Sequence, residues 1–201
     1  MSDDFRDFVR AVISADSSEV SRRLAADPQL ATVAAATGAS RRESKDFFFA
    51  DIAHYLYQGD TALHLAAAAF KRPVAEMLIA SGANVRARNR RGVEPLHYAA
   101  DAKHWNPDAQ ADTIAFLISA GGDPNALDKS GVAPLHRAVR TRSLPAVRAL
   151  LDGGANPTLA NGSGSLPLDL AWRSTGRGGA SSLHSREQQA GIVKLLTEHL
   201  H

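Results

Sequence analysis

Apolar and small residues recur along this chain in a fixed register. Four stretches superimpose residue on residue: Gly59-Asp-Thr-Ala-Leu-His-Leu-Ala66, Gly92-Val-Glu-Pro-Leu-His-Tyr-Ala99, Gly131-Val-Ala-Pro-Leu-His-Arg-Ala138 and Gly164-Ser-Leu-Pro-Leu-Asp-Leu-Ala171. Their shared Leu falls at 63, 96, 135 and 168, at spacings of 33, 39 and 33. A second signature precedes the next copy each time: Leu78-Ile-Ala-Ser-Gly-Ala-Asn84, Leu117-Ile-Ser-Ala-Gly-Gly-Asp123 and Leu150-Leu-Asp-Gly-Gly-Ala-Asn156. From its first invariant Gly (82, 121 or 154) to the next shared Leu the count is always 14. The pattern predicts a repeated unit of a short helix, a second helix and a polar turn. Pro95, Pro134 and Pro167 stand where a helix begins, since the first helical N–H has no intrahelical acceptor anyway. Thr61 is placed to cap the first full unit, and Gly82, Gly121 and Gly154 end the second helices. Phe5–Ala15 and Ser17–Ala26, closed by Asp27-Pro28, predict one more helix pair, with Phe8, Val12, Val20 and Leu24 inward. At the other end Ile192–Leu196 matches a last second helix.

One such unit cannot bury its own apolar face, so the stack is the folding unit and its ends need capping. These residues resemble the ankyrin repeat, whose hallmark is T-P-L-H-x-A, a second helix and G-A-D/N, in a bacterial-type form with three inserted loops. The resemblance covers residues 59–201 closely and 5–31 loosely. It implies an all-α solenoid of helix-turn-helix units with β-turn fingers, built as one domain over residues 1–201. Residues 5–31 are then an N-terminal cap or degenerate repeat, 32–58 an insertion, and 59–91, 92–130, 131–163 and 164–201 the repeats. It also implies a non-catalytic module that recognises a protein partner through fingers and concave groove. His64, His97 and His136 are expected to hydrogen-bond neighbouring turns; Asp169 in the fourth copy argues against a metal site assembled from the repeated His.

Function is sought where the pattern breaks. Thr32–Gln58 intervenes between cap and first repeat and holds Phe47-Phe48-Phe49 and His54-Tyr55-Leu-Tyr57. Leu96 to Leu117 spans 21 residues against 15 in the regular copies, the excess lying in Asp101–Asp112. Leu168 to Leu196 spans 28, with the excess in 173–182. Aromatic residues are only 6% of the chain, yet both Trp and two of the three Tyr fall in or beside these irregular segments. Adding the residues that register aims into the groove gives a candidate binding set: His54, Tyr55, Tyr57, Tyr98, Asp101, His104, Trp105, Arg137, Arg140, Trp172, Arg173 and Arg177. Arg offers a rigid fork for carboxylate or phosphate, and Tyr and Trp provide flat walls with a polar tip. The alternative to a protein groove is a pocket for a small anionic ligand, or a lyase- or isomerase-like site, formed by the insertions over the groove.

Composition then narrows the classes. Of the 44% hydrophobic residues, Ala (37) and Leu (21) dominate, which suits thin, closely layered helices. With no Cys, a disulfide framework, an iron–sulfur cluster and a thiol nucleophile are excluded, and a reducing, cytoplasmic setting is expected. No metal site and no cofactor are read, and no nucleophile elbow or paired-carboxylate motif stands out. The net charge of +2 divides into −3 over residues 1–60 and +5 over 61–201. That bias is too mild for nucleic acid. The run Arg86-Ala-Arg-Asn-Arg-Arg91 sits on a finger, as a solvated tip or a contact for an acidic protein. Gly176-Arg-Gly-Gly179 lacks the Lys-Ser/Thr of a phosphate-binding loop and reads as a flexible loop. The acidic N-terminus and the lack of long apolar runs predict neither a signal peptide nor a membrane span.

Overall fold

The structure, a computed structural model, describes residues 3–40, 44–101, 106–173 and 183–200. Among these, ten α-helices form five pairs: α1 (Asp3–Ser14) with α2 (Ser17–Ala26), α3 (Ala62–Ala68) with α4 (Arg72–Ala80), α5 (Pro95–Ala100) with α6 (Pro107–Ser119), α7 (Pro134–Thr141) with α8 (Leu144–Asp152), and α9 (Pro167–Trp172) with α10 (Leu183–Glu198). The first members pack in the order α1, α3, α5, α7, α9 and the second members in the order α2, α4, α6, α8, α10. The result is a two-layered all-α solenoid whose apolar cluster runs unbroken from Phe5 to Leu196. Leu63, Leu96 and Leu135 are buried between inner helices. Ala66, Ala99 and Ala138 are buried beside them and let the neighbouring backbone approach. Leu78, Leu117, Leu150 and Leu196 fill the outer layer; each fully buried Leu stabilises the fold by about 1.5–3 kcal/mol relative to exposure.

The polar signatures turn out to be hydrogen-bonding devices. Asn89, Asp128 and Asn161 stand seven residues before successive shared Leu and do one job. Each side chain accepts the backbone N–H two and four residues on: Arg91 (2.9 Å) and Val93 (3.1 Å), Ser130 (2.8 Å) and Val132 (3.0 Å), Ser163 (2.9 Å) and Ser165 (3.0 Å). These side-chain turns shape the fingers. His64 and His97 tie one unit to the next, whereas the buried Nε2 of His136 makes no such bond among the described residues. Nδ1 of His64, His97 and His136 accepts the N–H of Thr61, Glu94 and Ala133, at 3.1, 3.2 and 3.1 Å. Nε2–H of His64 and of His97 then donates across to the carbonyls of Val93 and Val132, both at 3.0 Å; the tautomer follows from this network. In the fourth copy Asp169 keeps the first bond, accepting from Leu166 N at 2.9 Å.

The segment before the first full repeat is ordered by pairing. Ala35 N donates to the Asp60 carbonyl (2.7 Å), Gly59 N to that of Ala35 (2.8 Å) and Ala39 N to that of Leu56 (2.8 Å). A side chain at Gly38 would strike the Tyr57–Gln58 backbone, so only glycine permits this close approach. Beyond it β1 (Phe48–Phe49) and β2 (His54–Tyr55) form a short antiparallel hairpin with Phe48 opposite Tyr55. In the second repeat the extra length is partly helix: α6 has 13 residues against 9 in α4 and in α8. Asn106 accepts from Ala109 N at 3.3 Å and Pro107 opens the helix, so the Asn-Pro pair in the irregular segment was a helix start. Among the described residues no helix is long and apolar enough to cross a membrane.

Candidate functional site

The turn at Gly59-Asp60 builds a buried polar centre. The Asp60 carboxyl is wholly buried and accepts from Tyr57 N (2.6 Å), Asn89 Nδ2 (2.8 Å) and the Tyr98 hydroxyl (3.0 Å to each oxygen). Burial pushes this carboxyl upward from its ordinary value, while His64 and the three donors pull the other way. Burial, and then the adjacent Asp60, pushes the Tyr98 phenol well up, so it stays a donor. β2 lays His54 over this centre: its buried ring meets Tyr98 edge to face at 4.3 Å between centroids.

One unit along, Arg137 replaces Tyr98 at the equivalent place and is 7% exposed. Its guanidinium holds Asp128 at 2.8 Å and Asp101 at 3.5 Å, all three side chains being nearly buried. Burial raises the Asp128 carboxyl, but the Val132 and Ser130 N–H groups and the Arg137 fork outweigh it, and the net direction is down.

The residues singled out from sequence therefore separate. His54, Tyr55, Tyr57 and Tyr98 come together around the hairpin, with the Tyr55 ring tilted against Phe48 (4.8 Å between centroids) and lying 6.4 Å from Tyr57. Asp101 and Arg137 share one ion-pair cluster. Arg140 and Arg173 are exposed and make no ion pair among the described residues. Trp172 is 66% exposed, although its register equivalents Ala67, Ala100 and Val139 are packed between neighbours. It belongs to the uncovered face of the last inner helix. His104, Trp105 and Arg177 lie outside the described residues, as does the Gly176–Gly179 stretch. Tyr98, His54 and Arg137, expected to offer their polar ends to a ligand, spend them inside the molecule. The physical reason is that Asp60 takes the Tyr98 hydroxyl and Asp128 the Arg137 fork, while the buried His54 ring packs edge to face on Tyr98.

Sequence reasoning passed over Asp60 and Asp128 as site residues, and it read Arg90 and Arg91 only as part of a basic finger. The finger divides in two. Arg86 pairs with Asp123 (2.9 Å) and Glu94 (3.6 Å), and Arg88 with Glu94 (3.2 Å). Arg90 and Arg91 have no carboxylate within ion-pair reach among the described residues and instead lie over the Tyr57 ring, at 6.0 and 5.1 Å. With Tyr55, Ser40 and Ser44 they line an open hollow of about 490 Å³. A larger hollow of about 660 Å³ between α6 and α8 is lined mainly by Ala, Leu, Ile and Pro side chains on the outer layer.

Fold and surface define an all-α repeat solenoid with polar finger turns. The family model described as Ankyrin repeat matches residues 58–90 and 91–129, and that described as Ankyrin repeats (many copies) matches residues 117–171. The matches together cover residues 58–171, more than half of the chain, which belongs to the ankyrin-repeat family. Ankyrin repeats are generally protein–protein interaction modules. Comparison with curated proteins returned no match.

Proposed function

We propose that this chain is a cytoplasmic binding module that holds an acidic segment of a protein partner along its finger edge and inner-helix face. One observation carries the reading. After the internal pairings are made, the exposed groups on the fingers and the inner-helix ends include Arg90, Arg91, Lys129, Arg140, Arg173 and Trp172, and none of these Arg has a carboxylate partner among the described residues. Unpaired guanidinium forks favour carboxylates, and exposed Trp and Arg are the residue types that dominate interface energetics. The candidate pocket of the sequence reading enters in reduced form: His54, Tyr98, Asp101 and Arg137 support the surface from within, and Arg140, Trp172 and Arg173 present it. The five helix pairs act as one stack, with residues 5–31 as its cap.

The test is affinity capture and cross-linking with the full chain, compared with the variant carrying Arg140→Glu, Trp172→Ala and Arg173→Glu. A protein held by the parent chain should be lost from the variant while the melting temperature stays within a degree or two, as expected for exposed sites. Retention of the same proteins by the variant overturns the reading.

A further inference from the structure

The hollow at Tyr55, Tyr57, Arg90 and Arg91 is built for charge as well as shape. Its described lining carries two guanidinium groups and no carboxylate. Both Arg are held from behind. Arg90 Nη2 donates to the Ala39 carbonyl at 2.7 Å, and its backbone N–H donates to Gln58 O at 2.9 Å. Arg91 N–H is held by Asn89 Oδ1 at 2.9 Å, and its guanidinium rests 5.1 Å from the centre of the Tyr57 ring. Tyr57 is itself pinned by its N–H to the buried Asp60 carboxyl. Asp60 thus fixes the aromatic floor, and the floor positions both cations before any ligand arrives. Ser44 makes no capping bond to the turn that it opens.

We propose that this pocket receives a phosphomonoester dianion on an aromatic side chain of the partner, namely a phosphotyrosine. The assignment rests on the reading of the chain as a protein-binding module and names the anchor of that interaction. The two guanidinium charges of the described lining match the charge of about −1.5 to −2 that a phosphomonoester carries at neutral pH, and its three terminal oxygens can take both forks. A single carboxylate is satisfied by one Arg fork and leaves the second cation unpaired. The hollow, at about 490 Å³, has room for the group carrying the phosphate, and Tyr55 and Tyr57 supply flat walls for a ring.

Calorimetric titration of the full chain decides between the sources. The probes are inorganic phosphate, phenyl phosphate, a short neutral peptide with one phosphotyrosine, and the same peptide with Glu in its place. The phosphotyrosine peptide should bind at least about tenfold more tightly than the Glu peptide, the equivalent of roughly 1.4 kcal/mol. Phenyl phosphate should compete with it, and inorganic phosphate should be weaker than both. Arg90→Ala with Arg91→Ala should abolish the binding. Arg91→Lys, which keeps the charge and loses the fork, should weaken it, and Arg148→Ala on the outer layer should leave it unchanged. Equal binding of the two peptides, or binding that survives loss of both Arg, overturns the proposal. So does phosphate binding confined to the small probes, since the source would then not be a peptide. These readouts do not involve Arg140, Trp172 or Arg173. A chain whose partner capture depends on those three but which ignores the phosphopeptide sinks this proposal alone. A chain that binds the phosphopeptide but retains every captured protein when those three are changed sinks the broader reading of the inner-helix face.

Discussion

At the scale of single residues, the same side-chain type does opposite work three positions apart on α7. Arg137 is enclosed with Asp128 and Asp101, whereas Arg140 reaches solvent with no ion pair among the described residues. Removing one member of a buried ion pair strands the other charge, which costs roughly 3–5 kcal/mol, while an exposed substitution usually stays within about 0.5 kcal/mol. Urea unfolding should therefore show Arg137→Ala destabilised by several kcal/mol and Arg140→Ala nearly unchanged, with Arg137→Lys between them. A small loss for Arg137→Ala would mean that the two carboxylates are hydrated and that the cluster is open. The sequence placed both Arg by counting from Leu135, and that count could not separate them. What separates them is Asp128, whose side chain the Asx geometry of the finger turns inward, and that geometry shows only when Asn89, Asp128 and Asn161 are compared as one position.

At the scale of elements, the helices are coupled by their His, and this makes stability depend on pH. His97 is buried, and burial first, then the nearby Arg137 charge, lowers its pKa from 6.5 to about 4. A base held neutral in the folded state favours folding above the unfolded value; as pH falls, the unfolded chain takes up the proton first. The contribution is therefore intact above about pH 6.5 and is lost as pH falls toward 4, amounting to about 3 kcal/mol. His64 and His136 are shifted in the same direction by burial. Glu94 and Asp60, whose carboxyls burial pushes up, act in the opposite sense. The informative comparison is thus between the parent and His97→Gln: unfolding free energy measured from pH 7.5 to 5 should fall less steeply in the variant. Parallel slopes would mean that His97 titrates normally when folded. The helix pairs, their caps and these His were legible because each repeat restates them. The 32–58 segment was not, since it occurs once: its hairpin depends on Gly38 closing against the Tyr57 backbone and on Asp60 collecting three donors, none of which has a period to betray it. Asn106-Pro107, by contrast, is a legible helix start within the irregular segment of the second repeat.

At the scale of the whole molecule, the stack has unequal ends. The hairpin segment covers the inner face over Tyr98, and the last inner helix leaves Trp172 open, so the exposed groups of the proposed surface lie at two places, the finger pocket near the covered end and the inner-helix ends near the open one. On the proposed reading, an acidic partner that used both would cross the inner-helix face from the finger edge toward the open end of the stack. The same linear build controls how the molecule comes apart, because each unit touches only its neighbours and stability is close to a sum over units and their interfaces. Phe8 in α1 and Leu117 in α6 are both wholly buried, and truncating either to Ala costs roughly 2–5 kcal/mol. The consequences should differ in reach. Native-state hydrogen exchange of Phe8→Ala should show lost protection in α1, α2 and the paired segment at residues 34–39, with α7 and α8 close to the parent. Leu117→Ala sits where α6 packs against α8, so it should lower protection on both sides of the break. If Phe8→Ala instead weakens every helix equally, the chain unfolds as one unit, and a partner bound at one end would stabilise the other as strongly as its own contacts. If loss is confined to the cap, occupancy of the Arg90–Arg91 pocket should protect the first two repeats and leave α9 and α10 as they were.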